Sequence, residues 1–131
     1  MYNVEILYDG GLSYKVKSEG YEFNIDFPKE KGGSGDGMTP PAVFLASLGG
    51  CIAVYANKYF EGAKLKCDRF SVVINGGIRE EKPRYLKSID VKIDLGGLKL
   101  DDKRKETLIS FIKNCPIHNT LANPVEINLE V

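Results

Sequence analysis

Three cysteines and a single histidine carry the side chains of this 131-residue sequence best suited to covalent or proton-transfer chemistry. Cys51 lies in a stretch, Met38–Phe60, that holds no Asp, Glu, Lys or Arg before Lys58. A thiol there is a small buried hydrophobe or, given a second thiol within reach, half of a redox couple. Cys115 precedes Pro116, which disfavours helical geometry at the cysteine and suits the first position of a new helical turn. A thiol at a helix start is biased toward thiolate, although the same residue also reads as a buried apolar one. His118 follows by three and so could share a helical face with Cys115, lowering its pKa, or could be an ordinary satisfied histidine. Cys67 falls between the apolar stretch and a strand and reads as incidental. No C-x-x-C pair occurs, so no zinc site, other metal or cofactor is expected.

The elements that must position these residues follow from periodicity. Phe44, Leu48, Ile52, Tyr55 and Tyr59 recur at spacings of four, four, three and four, one face of an α-helix. Val43, Leu45, Ala46, Ala53, Val54 and Ala56 make its other faces apolar or small, which predicts a long central helix buried on all sides. Thr39 followed by Pro40 and Pro41 reads as its start. Such a run is long enough to span a membrane, but the prolines, Ser47, Gly49-Gly50 and Asn57 argue for a core helix instead. Each mid-helix glycine costs about 1 kcal/mol relative to alanine, which suggests that another backbone, such as a second copy of the helix, approaches closely.

Upstream, Tyr2–Tyr8, Leu12–Lys17 and Tyr21–Phe27 are short and rich in aromatic and β-branched residues. Asp9-Gly10-Gly11 and Glu19-Gly20 separate them, which predicts three hairpin-linked antiparallel strands. Pro28–Gly37 holds four glycines and no large apolar side chain, and reads as a flexible loop at the mouth of the central helix. Downstream, Asp68–Ile78 and Tyr85–Leu95 form a second strand pair, and Lys99–Lys113 a surface helix. Its inner stripe is Leu100, Thr107, Leu108, Phe111 and Ile112, with Asp101 to Lys105 as a solvated face. Val125–Val131 alternates as a closing strand. The order is βββ-α-ββ-α-β, an α+β fold.

Length bounds the chain to a single domain, 1–131, with a core that needs no disulfide staples. Eighteen basic and eighteen acidic residues cancel, so the clustered basic excess of a nucleic-acid binder is absent. The first residues, MYNVEILYDG, carry no signal-peptide pattern. The expectation is a cytoplasmic protein with reduced thiols and no membrane partner.

Two patches and the order of elements resemble the OsmC/Ohr superfamily of thiol-dependent peroxidases. Thr39-Pro40-Pro41-Ala42-Val43-Phe44-Leu45-Ala46-Ser47-Leu48-Gly49-Gly50-Cys51 is similar to that family's proline-led central helix, and Cys115-Pro116-Ile117-His118-Asn119-Thr120-Leu121 to its second cysteine motif. The resemblance implies an intertwined homodimer that reduces organic hydroperoxides. Cys51 would be the peroxidatic thiolate, and Cys115 would resolve its sulfenic acid as a disulfide that an external dithiol later reduces.

The sequence departs from the family pattern where that pattern activates the thiolate. No arginine precedes Arg69, the Asp9-Gly10-Gly11 loop included, and Pro41 and Ala42 stand where the family has a glutamate. Lys15, Lys17, Lys31, Arg79 and Arg84 are the candidates for a substitute cation. Two further functions therefore stay open: a redox sensor or thiol carrier without fast peroxide turnover, and a protein binding a small apolar ligand.

Overall fold

Alternation and hairpin turns build the first sheet of a computed structural model that describes residues 1–131. β1 (Glu5–Tyr8), β2 (Tyr14–Ser18) and β3 (Tyr21–Ile25) lie in that order, antiparallel, with Ile6 opposite Val16 and Val16 opposite Phe23. The glycines at both turns have positive φ, as tight hairpins require. These strands belong to one compact unit, Met1–Phe44, and the rest of the chain forms a second, Leu45–Val131.

The loop after β3 is a built structure rather than the flexible connector its composition suggests. Asp26 is fully buried, and its carboxylate accepts main-chain N–H bonds from Phe27 at 2.7 Å, Ser34 at 3.3 Å and Asp36 at 3.2 Å. Met38 returns beside Ile25, its carbonyl accepting from Asp26 N–H at 3.1 Å. A side chain at Gly33 would strike the Phe27 carbonyl, and one at Gly37 the Asn24 carbonyl. The glycines therefore serve close backbone approach around a buried charge, not mobility. Hydrogen bonding, from Phe27 above all and then from Asp36 and Ser34, holds the Asp26 carboxyl below the usual carboxylate range against the opposing effect of burial.

Helix α1 (Pro40–Gly62) runs from the end of that loop into the second unit. β4 (Ser71–Ile78) and β5 (Leu86–Asp94) pair antiparallel, with Val72 opposite Ile93 and Ile74 opposite Val91. α2 (Asp102–Ile112) and α3 (Pro116–Ala122) follow. The core of this unit joins Leu48, Ile52, Ala56, Tyr59 and Phe60 of α1 to Leu108 and Ile112 of α2, with Val72, Ile74, Ile89 and Ile93 of the sheet packed against them. Each such side chain contributes about 1.5–3 kcal/mol when fully buried. α1 is long and apolar enough to cross a membrane by length and composition alone.

Three further expectations change on this scaffold. α1 is not buried on all sides within the chain. Phe44 and Val54 are exposed, and the buried stripe begins at Leu48. Asp101 is no part of a solvated helix face but the N-cap of α2, its Oδ1 accepting from Arg104 N–H at 2.8 Å. Val125–Val131 forms no strand. Val125, Ile127, Leu129 and Val131 are exposed, and the segment pairs with no strand, without which its alternation remains extended chain.

Candidate active site

The two cysteines singled out from sequence meet in the second unit. Cys51, on α1, and Cys115, ahead of α3, are joined by a disulfide with their Cα atoms 6.0 Å apart and 64 residues between them in sequence. This Cα separation is ordinary for a disulfide bridge. The long spacing is bridged because Leu108 and Ile112 dock α2 against α1, which lays the end of α2 beside the middle of α1.

Cys115 is the joint between two helices. Its N–H donates to Ile112 O at 2.9 Å, finishing α2, and its carbonyl accepts from Asn119 N–H at 3.0 Å, starting α3. Its Sγ caps α3 by accepting from His118 N–H at 3.4 Å, and Pro116 takes the first helical position, where no N–H is needed. Cys115 is fully buried, whereas Cys51 keeps part of its surface. Beside Cys51 the helix surface is open: a side chain added at Gly50 would meet nothing, and Ser47 and Val54 are exposed. The neighbouring Gly49 faces inward, with Ile74 as the nearest group at 3.7 Å from an added Cβ. Gly76 on β4 similarly makes room for Leu45, one and a half turns before Cys51.

The remaining reactive residues stand apart from this bond. Cys67 is a free thiol donating to Leu95 O at 3.4 Å. Burial, with the Asp68 charge beside it, pushes its pKa up, which favours the protonated thiol. His118 serves Cys115 through its main-chain N–H rather than through its imidazole, whose Nδ1 is shielded and has no hydrogen-bond partner. Arg79 and Arg84 are committed to the β4–β5 turn. Arg79 donates to Pro83 O at 3.0 Å and pairs with Glu81 at 3.4 Å, and Arg84 pairs with Glu80 at 3.1 Å. Lys15, Lys17 and Lys31 belong to the first unit. No group of three or more His, Cys, Asp or Glu side chains is arranged to hold a metal ion.

Comparisons with known proteins agree with this architecture. The family profile described as OsmC-like protein matches residues 33–130. A hydroperoxide reductase of Mycoplasma genitalium is 24% identical over 136 residues, covering 99% of this chain and 94% of that protein. Among solved structures, an OsmC-like protein from Mycoplasma pneumoniae superposes with a TM-score of 0.81 at 20% identity, covering 93% of this chain and 87% of that one. An organic hydroperoxide resistance protein from Legionella pneumophila superposes with a TM-score of 0.64 at 18% identity, covering 92% and 88%.

Proposed function

Because the chain belongs to the OsmC-like protein family, we propose that it is a thiol-dependent peroxidase acting on organic hydroperoxides through Cys51 and Cys115. The observation that carries this reading is the joining of the two sulfurs across 64 residues of sequence. The hydroperoxide-related names of the relatives support it. In this mechanism the Cys51 thiolate attacks the terminal peroxide oxygen. The O–O bond breaks, the alkoxide leaves and takes a proton, and Cys51 becomes a sulfenic acid. The Cys115 thiol then displaces water, forming the disulfide. An external dithiol restores both thiols, and a reducing cytoplasm is the compartment this cycle calls for.

The working unit in this proposal is a homodimer of one domain per chain. The exposed apolar side of α1 and the unpaired alternation of Val125–Val131 support it, since both leave apolar surface that a second copy would cover.

The peroxide step is expected to be slow at neutral pH, because no arginine precedes Arg69 and Pro41 and Ala42 stand where the family has a glutamate. An ordinary cysteine ionises near about pH 8.5, so the rate should rise roughly fiftyfold between about pH 6.5 and 8.5, following the thiolate fraction. Cumene hydroperoxide consumption by the reduced protein, followed across that range, tests this. Activity should vanish in Cys51→Ser, and an unchanged rate in that variant excludes the peroxidase.

The same two departures in sequence favour a second reading, a thiol carrier that shuttles between dithiol and disulfide without peroxide turnover. In that case the protein exchanges with disulfides but leaves hydroperoxide intact. A ligand-binding role finds less support. The apolar cavity walled by Val91, Ile93, Leu95, Lys105, Leu108 and Ile109 is about 240 Å³, below the roughly 300–1,000 Å³ of usual ligand sites, and the larger clefts, of about 480 Å³ beside residues 17–22 and about 500 Å³ beside α3, are lined mainly by polar residues.

A further inference from the structure

The two sulfurs of the bond are unequally placed, and this decides how the bond is opened. Thiol–disulfide exchange proceeds in line: the attacking thiolate, the sulfur attacked and the sulfur that leaves are collinear. Attack on Cys115 would bring the nucleophile in from the side opposite Cys51, through a residue with no exposed surface. Its own chain seals it, so association with a second copy cannot expose it. Within the chain Cys51 retains surface that Cys115 lacks.

The leaving side is prepared as well. Negative charge grows on the departing sulfur, and departure is faster when that charge is stabilised. Cys115 Sγ already accepts the His118 N–H at 3.4 Å, while Cys51 Sγ accepts no hydrogen bond.

We propose that the reducing dithiol attacks Cys51, and that Cys115 departs as a thiolate received by the His118 main-chain N–H. This rests on the two cysteines being a redox pair, not on a hydroperoxide being the oxidant. One sulfur of the dithiol bonds to Cys51 Sγ as the Cys51–Cys115 bond breaks, its electron pair going to Cys115. The second sulfur of the dithiol then attacks the first, closing a cyclic disulfide and releasing Cys51 as thiolate. Two electrons pass from the dithiol to the protein, and the two thiol protons finish on Cys51 and Cys115. Cys51 is thus freed last, on the accessible side where an oxidant arrives.

A monothiol tests this, because it cannot complete the second step. Oxidised Cys67→Ala protein is mixed with excess glutathione and quenched with acid at successive short times. The freed thiols are alkylated, and the peptides are mapped by mass. Glutathione is expected on Cys51 and the alkyl group on Cys115, in at least tenfold excess over the reverse. The reverse pattern, or an even split, overturns the proposal. If Cys115 recloses the bond too fast for an adduct to accumulate, single-cysteine variants decide, again with Cys67→Ala. Cys51 in Cys115→Ser should react with an aromatic disulfide at least tenfold faster than Cys115 in Cys51→Ser, with the difference lost in denaturant. Equal native rates overturn the proposal. No peroxide enters either measurement, so failure of the peroxidase reading and failure of this one remain distinguishable.

Discussion

Asp26 shows how a single carboxylate can organise a loop whose composition advertises disorder. Its oxygens take the N–H groups of Phe27, Ser34 and Asp36, and these bonds hold its pKa below the ordinary value. A folded pKa lower than the unfolded one, near about 3.9, means the carboxylate stabilises the fold fully above the unfolded value. That stability is lost as pH falls through the folded value. Asp26→Asn keeps the shape but turns one acceptor into a donor facing N–H groups. It should lower the melting temperature by several degrees at neutral pH, and the gap from wild type should close in strong acid. Thermal melts of both proteins between neutral pH and about pH 2 check this. None of it was legible beforehand, because the partners of Asp26 are main-chain donors that converge only once the loop has closed. Cys51 and Cys115 were singled out by the resemblance of their two motifs to the OsmC/Ohr pattern, since each residue alone reads equally as a buried apolar side chain.

At the scale of elements, the sequence was most informative where periodicity is local and least where it needs a neighbour. The six segments that form β1 to β5 and α2 were recognisable from alternation or helical spacing, with ends trimmed by a few residues. The apolar surround of α1 could not say which side faces its own chain, because every face looks alike. The structure separates the two mid-helix glycines: Gly49 packs toward Ile74, and Gly50 borders open space. Gly49→Leu should therefore overpack the α1–β4 contact and cost about 1–3 kcal/mol in chemical denaturation. Gly50→Leu should leave the melting of the isolated chain nearly unchanged and weaken self-association instead. Val125–Val131 has the alternation of a strand, yet sequence does not specify which edge would take it. A strand without a partner remains extended chain.

Across the whole molecule, apolar side chains face outward at Tyr21 and Phe23 of the first unit and at Val54, Ile127 and Leu129 of the second. Light scattering at micromolar concentration should report the proposed dimer, and Ile127→Asp should shift it toward monomer. A stable wild-type monomer would remove that part of the proposal. The Cys51–Cys115 link has a consequence of another kind. It closes a ring of chain spanning 64 positions, which includes β4, β5 and α2. A ring of that size removes about 4 kcal/mol of disorder from the unfolded ensemble. The oxidised protein should therefore melt well above the dithiothreitol-treated protein when both are scanned by calorimetry. Each round of oxidation and reduction would then also tighten and loosen the protein, so its resistance to unfolding and proteolysis would track the supply of reductant.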